Sequence, residues 1–111
     1  MIKINIGCGG SPLKDYINTD MDSLDQIKKR YPNKTFDNDL IVKNYDIFNL
    51  PFENSSVDEI KTDSLIEHLS FIEEKKFFYE ITRVIKKDGK IEISTPDFEK
   101  SVKQWLNAED D

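Results

Sequence analysis

Three glycines and a cysteine stand together at Gly7-Cys8-Gly9-Gly10, directly after the alternating apolar residues Ile2, Ile4 and Ile6. Glycine lacks a Cβ, so the backbone there can take positive φ and approach a ligand closely. A second short apolar stretch ends at Asp20. A carboxylate in that place can accept two hydrogen bonds from a ribose diol. A third polar group near the next strand end, such as Asp46, can read an adenine edge. Together these groups describe an adenosine-containing ligand. Taken alone, Gly-x-Gly-Gly is a weak signal, because glycine-rich turns are common. The nicotinamide-dinucleotide fingerprint, Gly-x-Gly-x-x-Gly opening a full helix, is not met, since Gly10 is followed by Ser11-Pro12-Leu13 and a short link.

Other reactive residue types carry less. Cys8 is the only cysteine; it reads as a small packing residue, since nothing near it would lower its pKa. No disulfide or cysteine-based metal site follows from one cysteine. His68 is the only histidine. Its ordinary pKa suits a general base, but a residue ending a helical turn and lining a rim is the favoured reading. Asp22 competes with Asp20 for the ribose role; Asp20 is preferred and Asp22 is left as a helix cap. Asp46 competes with a plain loop acid, and Asp58 reads as structural. Glu80 and Arg83 stand at i, i+3 and predict a helix-surface pair worth about 0.2–0.5 kcal/mol. Trp105 reads as core.

The elements that must position these groups follow from periodicity. Ile2 to Ile6 alternates as a strand. Tyr16 to Asp20 is a second strand, and Asp22 or Ser23 caps a helix running to about Arg30, with Pro32 just beyond. A third strand is expected near 41–46. Leu50 to Ser56 is a loop, and Val57 to Thr62 a fourth strand. Ser64 to Leu69 is a short helical turn. Ser70-Phe71-Ile72-Glu73 is a capping box, opening a helix whose Phe77, Phe78, Ile81, Val84 and Ile85 share one face. Asp88-Gly89 is a turn, Lys90 to Ser94 a fifth strand, and Pro96 opens a last helix striped by Val102, Trp105 and Leu106. Strands separated by helices predict a parallel sheet covered on both faces. Gly7 to Gly10, Asp20, Asp46, Ser64 and Thr95 then all fall at strand carboxyl ends, where such sheets hold ligands.

The bulk properties fit one domain over 1–111. Asp and Glu number 22 against 16 Lys and Arg. That balance, with no large Lys/Arg cluster, argues against nucleic acid; Lys28, Lys29 and Arg30 read as a solvated helix face, and Glu109 to Asp111 as a solvated tail. No apolar run reaches membrane-spanning length and no signal-peptide core is present, so the cytoplasm is the expected location.

Four segments carry a resemblance. Ile4-Asn5-Ile6-Gly7-Cys8-Gly9-Gly10 resembles the first motif of the class I S-adenosylmethionine-dependent methyltransferases (type 11-like). "YDIFNLPFENSSVDEI" (45–60), "SLIEHL" (64–69) and "EITRVIKKDGKIEISTPD" (80–97) are similar to their later motifs, in order. The resemblance implies S-adenosyl-L-methionine as cofactor and methyl transfer; the acidic balance makes a small molecule the expected acceptor, ahead of nucleic acid. It places Gly7, Cys8 and Gly9 under the methionine and ribose, and Asp20 on the ribose hydroxyls. Asp46 falls on the adenine amino group with the Ile47 amide at a ring nitrogen, and Ser64 and Leu65 beside the methionine. It implies a three-layer α/β sandwich, Rossmann-like, with a mostly parallel sheet in order 3-2-1-4-5.

Three features depart from that family. The stretch from Gly10 to Asp20 is short for a crossover helix, and a loop is expected instead. The first strand starts at residue 2, with no helix before it. The chain supplies five strands and lacks the terminal antiparallel hairpin of the family's seven-stranded sheet. An abbreviated member or a fragment is expected. An open sheet edge needs cover, from a second copy in a homodimer or from a partner. The alternative to an enzyme is a non-catalytic methyltransferase-like module completed by such a partner.

Overall fold

A computed structural model of the chain describes residues 1–37 and 39–94. Five strands, β1 (Lys3–Ile6), β2 (Ile17–Thr19), β3 (Ile41–Lys43), β4 (Val57–Asp63) and β5 (Ile85–Ser94), form one sheet in the order β3-β2-β1-β4-β5. Every neighbouring pair is parallel. Helix α1 (Leu24–Arg30) joins β2 to β3, and α2 (Phe71–Val84) joins β4 to β5 after one turn of 3₁₀ helix (Ile66–His68). The expected last helix, with Thr95, Pro96, Val102, Trp105 and Leu106, lies outside the described residues, as does the acidic tail.

Both helices start on capping boxes. Ser23 accepts the Gln26 amide and Gln26 reaches back to the Ser23 amide. Ser70 and Glu73 do the same for α2. Reciprocal capping satisfies two otherwise unpaired amides at each helix start. Asp22 is therefore not the cap. The helix face read from spacing is the buried one: Phe77, Ile81 and Val84 pack with Ile4, Ile6, Val57, Ile60 and Leu50. Fully burying side chains of this size contributes about 1.5–3 kcal/mol each.

The register assigns the two sheet faces. Ile4 pairs with Ile60, which pairs with Ile91, and Ile6 with Thr62 and Ile93; this face receives α2. The opposite face carries Lys3, Glu59 and Lys90 in one row and Asn18, Asn5, Lys61 and Glu92 in the next. Lys61 Nζ lies 3.5 Å from Glu92, and the Tyr16 ring sits under Lys3 Nζ at 4.7 Å and Lys61 Nζ at 5.5 Å. Among the described residues this face carries charges, not an apolar row, over β1, β4 and β5.

In the first crossover, residues 7–16 form a loop with no helix. Its support is Asn18, whose side chain is fully buried. Asn18 Oδ1 accepts the Leu13 amide (2.8 Å) and Asn5 Nδ2 (2.9 Å). Its Nδ2 donates to the carbonyls of Leu13 (3.0 Å), Tyr16 (3.3 Å) and Ile41 (2.9 Å). Asn5 Nδ2 also reaches the Ser11 carbonyl at 3.2 Å. Buried backbone groups that a helix would satisfy internally are satisfied here by two side-chain amides.

Other expectations shift locally. β3 ends at Lys43, so Asp46 follows the strand rather than closing it. The Asp88-Gly89 turn is absorbed inside β5 as a bulge: Val57 pairs with Ile85, but Glu59 pairs with Lys90. A Cβ on Gly89 would stand 2.7 Å from the Ile85 side chain and 3.0 Å from the Lys86 carbonyl, so a larger residue there requires Ile85 to shift. Asp58 anchors both chain ends of this region, accepting the Ile2 amide (2.7 Å) and Lys86 Nζ (2.9 Å). The Glu80–Arg83 pair is not a surface pair. Glu80 is 7 % exposed and accepts the Leu50 amide as well as Arg83.

Asn18→Ala strands the Leu13 amide and carbonyl and frees the crossover. It is expected to cost about 2–4 kcal/mol in a urea melt, at the level of one or two buried unsatisfied groups; a loss within the noise would mean the loop does not depend on it. The Arg83 guanidinium, and after it the Leu50 amide, holds the Glu80 carboxyl below the usual carboxylate range. A depressed folded pKa stabilises above the unfolded value of about 4.3 and is lost as pH falls below it. Glu80→Gln should therefore lower stability at pH 7 and flatten its decline between about pH 4.5 and 3, read by denaturant midpoints across that range.

Candidate functional site

The first crossover and the end of β2 are stitched together. The Gly7 amide donates to Thr19 Oγ1 (3.2 Å), the Cys8 amide to the Thr19 carbonyl (2.9 Å) and the Gly9 amide to Asp20 Oδ2 (2.8 Å). Gly7 and Gly9 both take positive φ, 67° and 51°, the conformation for which glycine is the least strained residue. A Cβ on Gly7 would meet Leu65 Cδ1 at 3.3 Å. Leu65 follows β4, so the glycine turn and the end of β4 face each other across the point where the strand order reverses. Open parallel sheets bind ligands at that point.

A cavity of about 890 Å³ opens there. Gly7, Cys8, Gly9, Asp20, Asp46, Ile47, Ser64, Leu65 and His68 all line it. These expected site residues are thus brought to one place, while Thr95 lies outside the described residues. Gly10 lines it too, close under Tyr31, whose ring a Cβ there would strike at 2.8 Å.

The acids differ in what they already hold. Asp20 Oδ1 accepts the Asp22 amide at 2.9 Å while Oδ2 accepts Gly9, so Asp20 shapes the turn as well as facing the cavity. Asp22 also lines the cavity and pairs with Arg30 Nε at 3.1 Å; Arg30 NH2 stands 3.9 Å from Asp20. Arg30 is therefore a member of the site, not only part of a solvated basic face. Asp46 Oδ1 accepts the Phe48 amide (2.9 Å), and its carbonyl accepts the Asn49 amide (3.1 Å). That turn ties one carboxylate oxygen and leaves acceptor capacity on the other. Ser64 takes positive φ at 58° and its amide donates to the Ser94 carbonyl at 2.7 Å. His68 ends the 3₁₀ turn with its side chain 74 % exposed, 3.8 Å from Glu67. Asp63 and Glu73 complete an acidic lining. The Ser70 amide draws the Glu73 carboxyl below its ordinary range.

Several lining residues had no signal in the sequence. Tyr31 and Arg30 reach the cavity from the end of α1, and Met21, 88 % exposed, stands at its mouth. Only the length of α1 and the path of the chain after it decide this, and neither is written in a local pattern.

The family model for a methyltransferase domain matches residues 4–93. The chain belongs to that family. Among solved structures, the methyltransferase domain here is similar to phosphoethanolamine N-methyltransferase 1 of Haemonchus contortus, solved with phosphoethanolamine and S-adenosylhomocysteine. The TM-score is 0.62 at 20% identity, over 84% of this chain and 22% of that one. It is similar also to a putative S-adenosyl-L-methionine-dependent methyltransferase of Methanococcus maripaludis, with TM-score 0.61 at 21% identity, over 97% of this chain and 53% of that one. The chain therefore spans between a fifth and about half of those proteins. No curated protein matches it. Among the described residues no helix is long and apolar enough to cross a membrane, and no group of His, Cys, Asp and Glu could hold a metal ion.

Burial, and after it the Asp20 charge, pushes the Cys8 thiol up to about 12. Cys8 should be inert to a thiol-specific disulfide reagent at pH 8 while the protein is folded, and react fully in denaturant; rapid reaction of the native protein would place the thiol in a different environment from this one.

Proposed function

We propose that this domain binds S-adenosyl-L-methionine and transfers its methyl group to a small-molecule acceptor. The observation that carries the reading is a cavity at the strand carboxyl ends that gathers Gly7, Asp20, Asp46 and Ser64. Its fit to the cofactor is supported by the glycine cradle, which a Cβ at Gly7 would crowd against Leu65. Its acidic lining also suits the cofactor: Asp20, Asp22, Asp46, Asp63 and Glu73 against Arg30 favour a ligand of net positive charge.

In this reading Asp20 accepts the ribose hydroxyls with the lone pairs that Gly9 and Asp22 leave. Asp46 accepts from the adenine amino group and the Ile47 amide meets a ring nitrogen. The positive-φ turns at Gly7, Gly9 and Ser64 let the backbone run close beneath the methionine portion, with Leu65 and Cys8 as apolar walls. The cofactor supplies a methyl group already activated by the sulfonium charge. The task left to the chain is to hold that methyl in line with an acceptor, which can lower the barrier by several kcal/mol. Where the acceptor must lose a proton, His68 is the group at the rim with a suitable ordinary pKa. The net charge of −6 argues for a small acceptor over nucleic acid.

The alternative reading is binding without turnover, in a methyltransferase-like module that a partner completes. Methyl release from labelled cofactor over a panel of amines, thiols and hydroxyl acceptors separates the two.

S-adenosylhomocysteine is expected to bind in calorimetry and to raise the melting temperature, by about 2.7 kcal/mol of stabilisation at a hundred times its Kd. Asp20→Asn should weaken it by roughly 10–100-fold, the worth of a charged hydrogen-bond acceptor. The absence of any heat or melting shift with millimolar ligand would sink the reading.

A further inference from the structure

Residues 44–56 cross from β3 to β4 without a helix. Their first part, Tyr45 to Phe48, lines the cavity. Asp46 closes its turn on Phe48 and Asn49, and the next residue, Leu50, is gripped from behind by α2. The Leu50 amide donates to Glu80, and its carbonyl accepts Arg83 NH2 at 3.0 Å. Arg83 NH1 donates to the Phe52 carbonyl and to Asn54 Oδ1, both at 2.9 Å. Nε and NH2 meet the two Glu80 oxygens at 2.7 and 2.6 Å. All five guanidinium N–H donors thus have partners, three of them on the loop. No cavity-lining atom comes from Glu80 or Arg83.

We propose that Glu80 and Arg83 are positioning residues that aim the Asp46 carboxylate at the purine amino group, and so set the base preference of the cofactor site. This rests on the adenosyl reading above. Only three residues separate Asp46 from Leu50, and a hydrogen-bonded turn fills the gap, so the loop has no slack to absorb a shift at Leu50. A carboxylate reads one amino group only when held in place, and misplacement by about 1 Å costs much of such an interaction. Lysine cannot substitute: its three donors on a flexible stem cannot span a carboxylate and three loop acceptors.

The test is Arg83→Lys, with calorimetry of S-adenosylhomocysteine and of its analogue in which purine replaces adenine. The wild type is expected to prefer the adenine ligand by about tenfold or more, the worth of one charged hydrogen bond. In Arg83→Lys the preference should fall toward parity, while affinity for the purine analogue changes by less than about threefold. Should that variant fail to fold, Asn54→Ala removes a single exposed bond to Arg83 and should lower the preference partly at an unchanged melting temperature. In an Asp46→Ala background, Arg83→Lys should leave the ratio untouched. An undiminished preference in Arg83→Lys and Asn54→Ala, or an equal loss for both ligands, overturns the assignment. A wild type that binds both ligands equally also overturns it and leaves the adenosyl reading standing. A wild type that binds neither removes both.

Discussion

The side chain of Asn18, closed off from solvent, meets the Leu13 amide and carbonyl, the Tyr16 and Ile41 carbonyls and the Asn5 amide at once. Those partners belong to β1, to the first crossover and to β3, with β2 as the host. Three parallel strands and the loop between two of them are thereby fixed by one polar group in a low-dielectric interior, where a satisfied hydrogen bond is strong and an unsatisfied one is costly. A crossover helix would satisfy its own backbone and bring an apolar stripe. The asparagine network does the first job but not the second.

The same economy reaches the cavity. Because the crossover is short, the glycine turn is bonded directly to the end of β2, through Thr19 and Asp20. Asp20 then has two duties, shaping the turn and facing a ligand. In a longer crossover these could be divided between residues. Arg30, returning from the end of α1 to Asp20 and Asp22, adds a positive charge that steadies two neighbouring carboxylates whose repulsion would otherwise oppose their close placement.

What the sequence disclosed is what local rules govern. A capping box announced the start of α2 at Ser70, alternation announced β1, and the spacing of Phe77, Ile81 and Val84 announced the buried face of α2; the first helix start was narrowed only to Asp22 or Ser23, and the structure assigns it to Ser23. The glycines, Asp20 and Ser64 were legible because a parallel sheet sends its carboxyl ends to one side, so any strand assignment near the truth gathers them. Illegible were the contacts made across long separations. Nothing near Asn18 marks it as more than a polar residue in a strand. Arg83 reads as half of a helix-surface pair with Glu80 until Leu50, Phe52 and Asn54 are seen against it. Asp46 was placed at a strand end that the structure puts three residues earlier, since the hydrophobic run through Tyr45, Ile47 and Phe48 belongs to core packing by a loop. The bulge in β5 was visible only as a turn, because Gly89 signals tight backbone without saying whether pairing resumes beyond it.

The face built from Lys3, Glu59, Lys61, Lys90 and Glu92, with Tyr16 between two of the lysines, narrows what changes the fold can accept. A crossover helix inserted into residues 7–16 would arrive with an apolar stripe and meet a charged surface that offers it no burial. Lengthening that link alone therefore cannot bury a helix there; several strand positions would have to turn apolar at the same time. Short crossover and charged strand face are consequently locked together, so that neither can be altered gradually without the other.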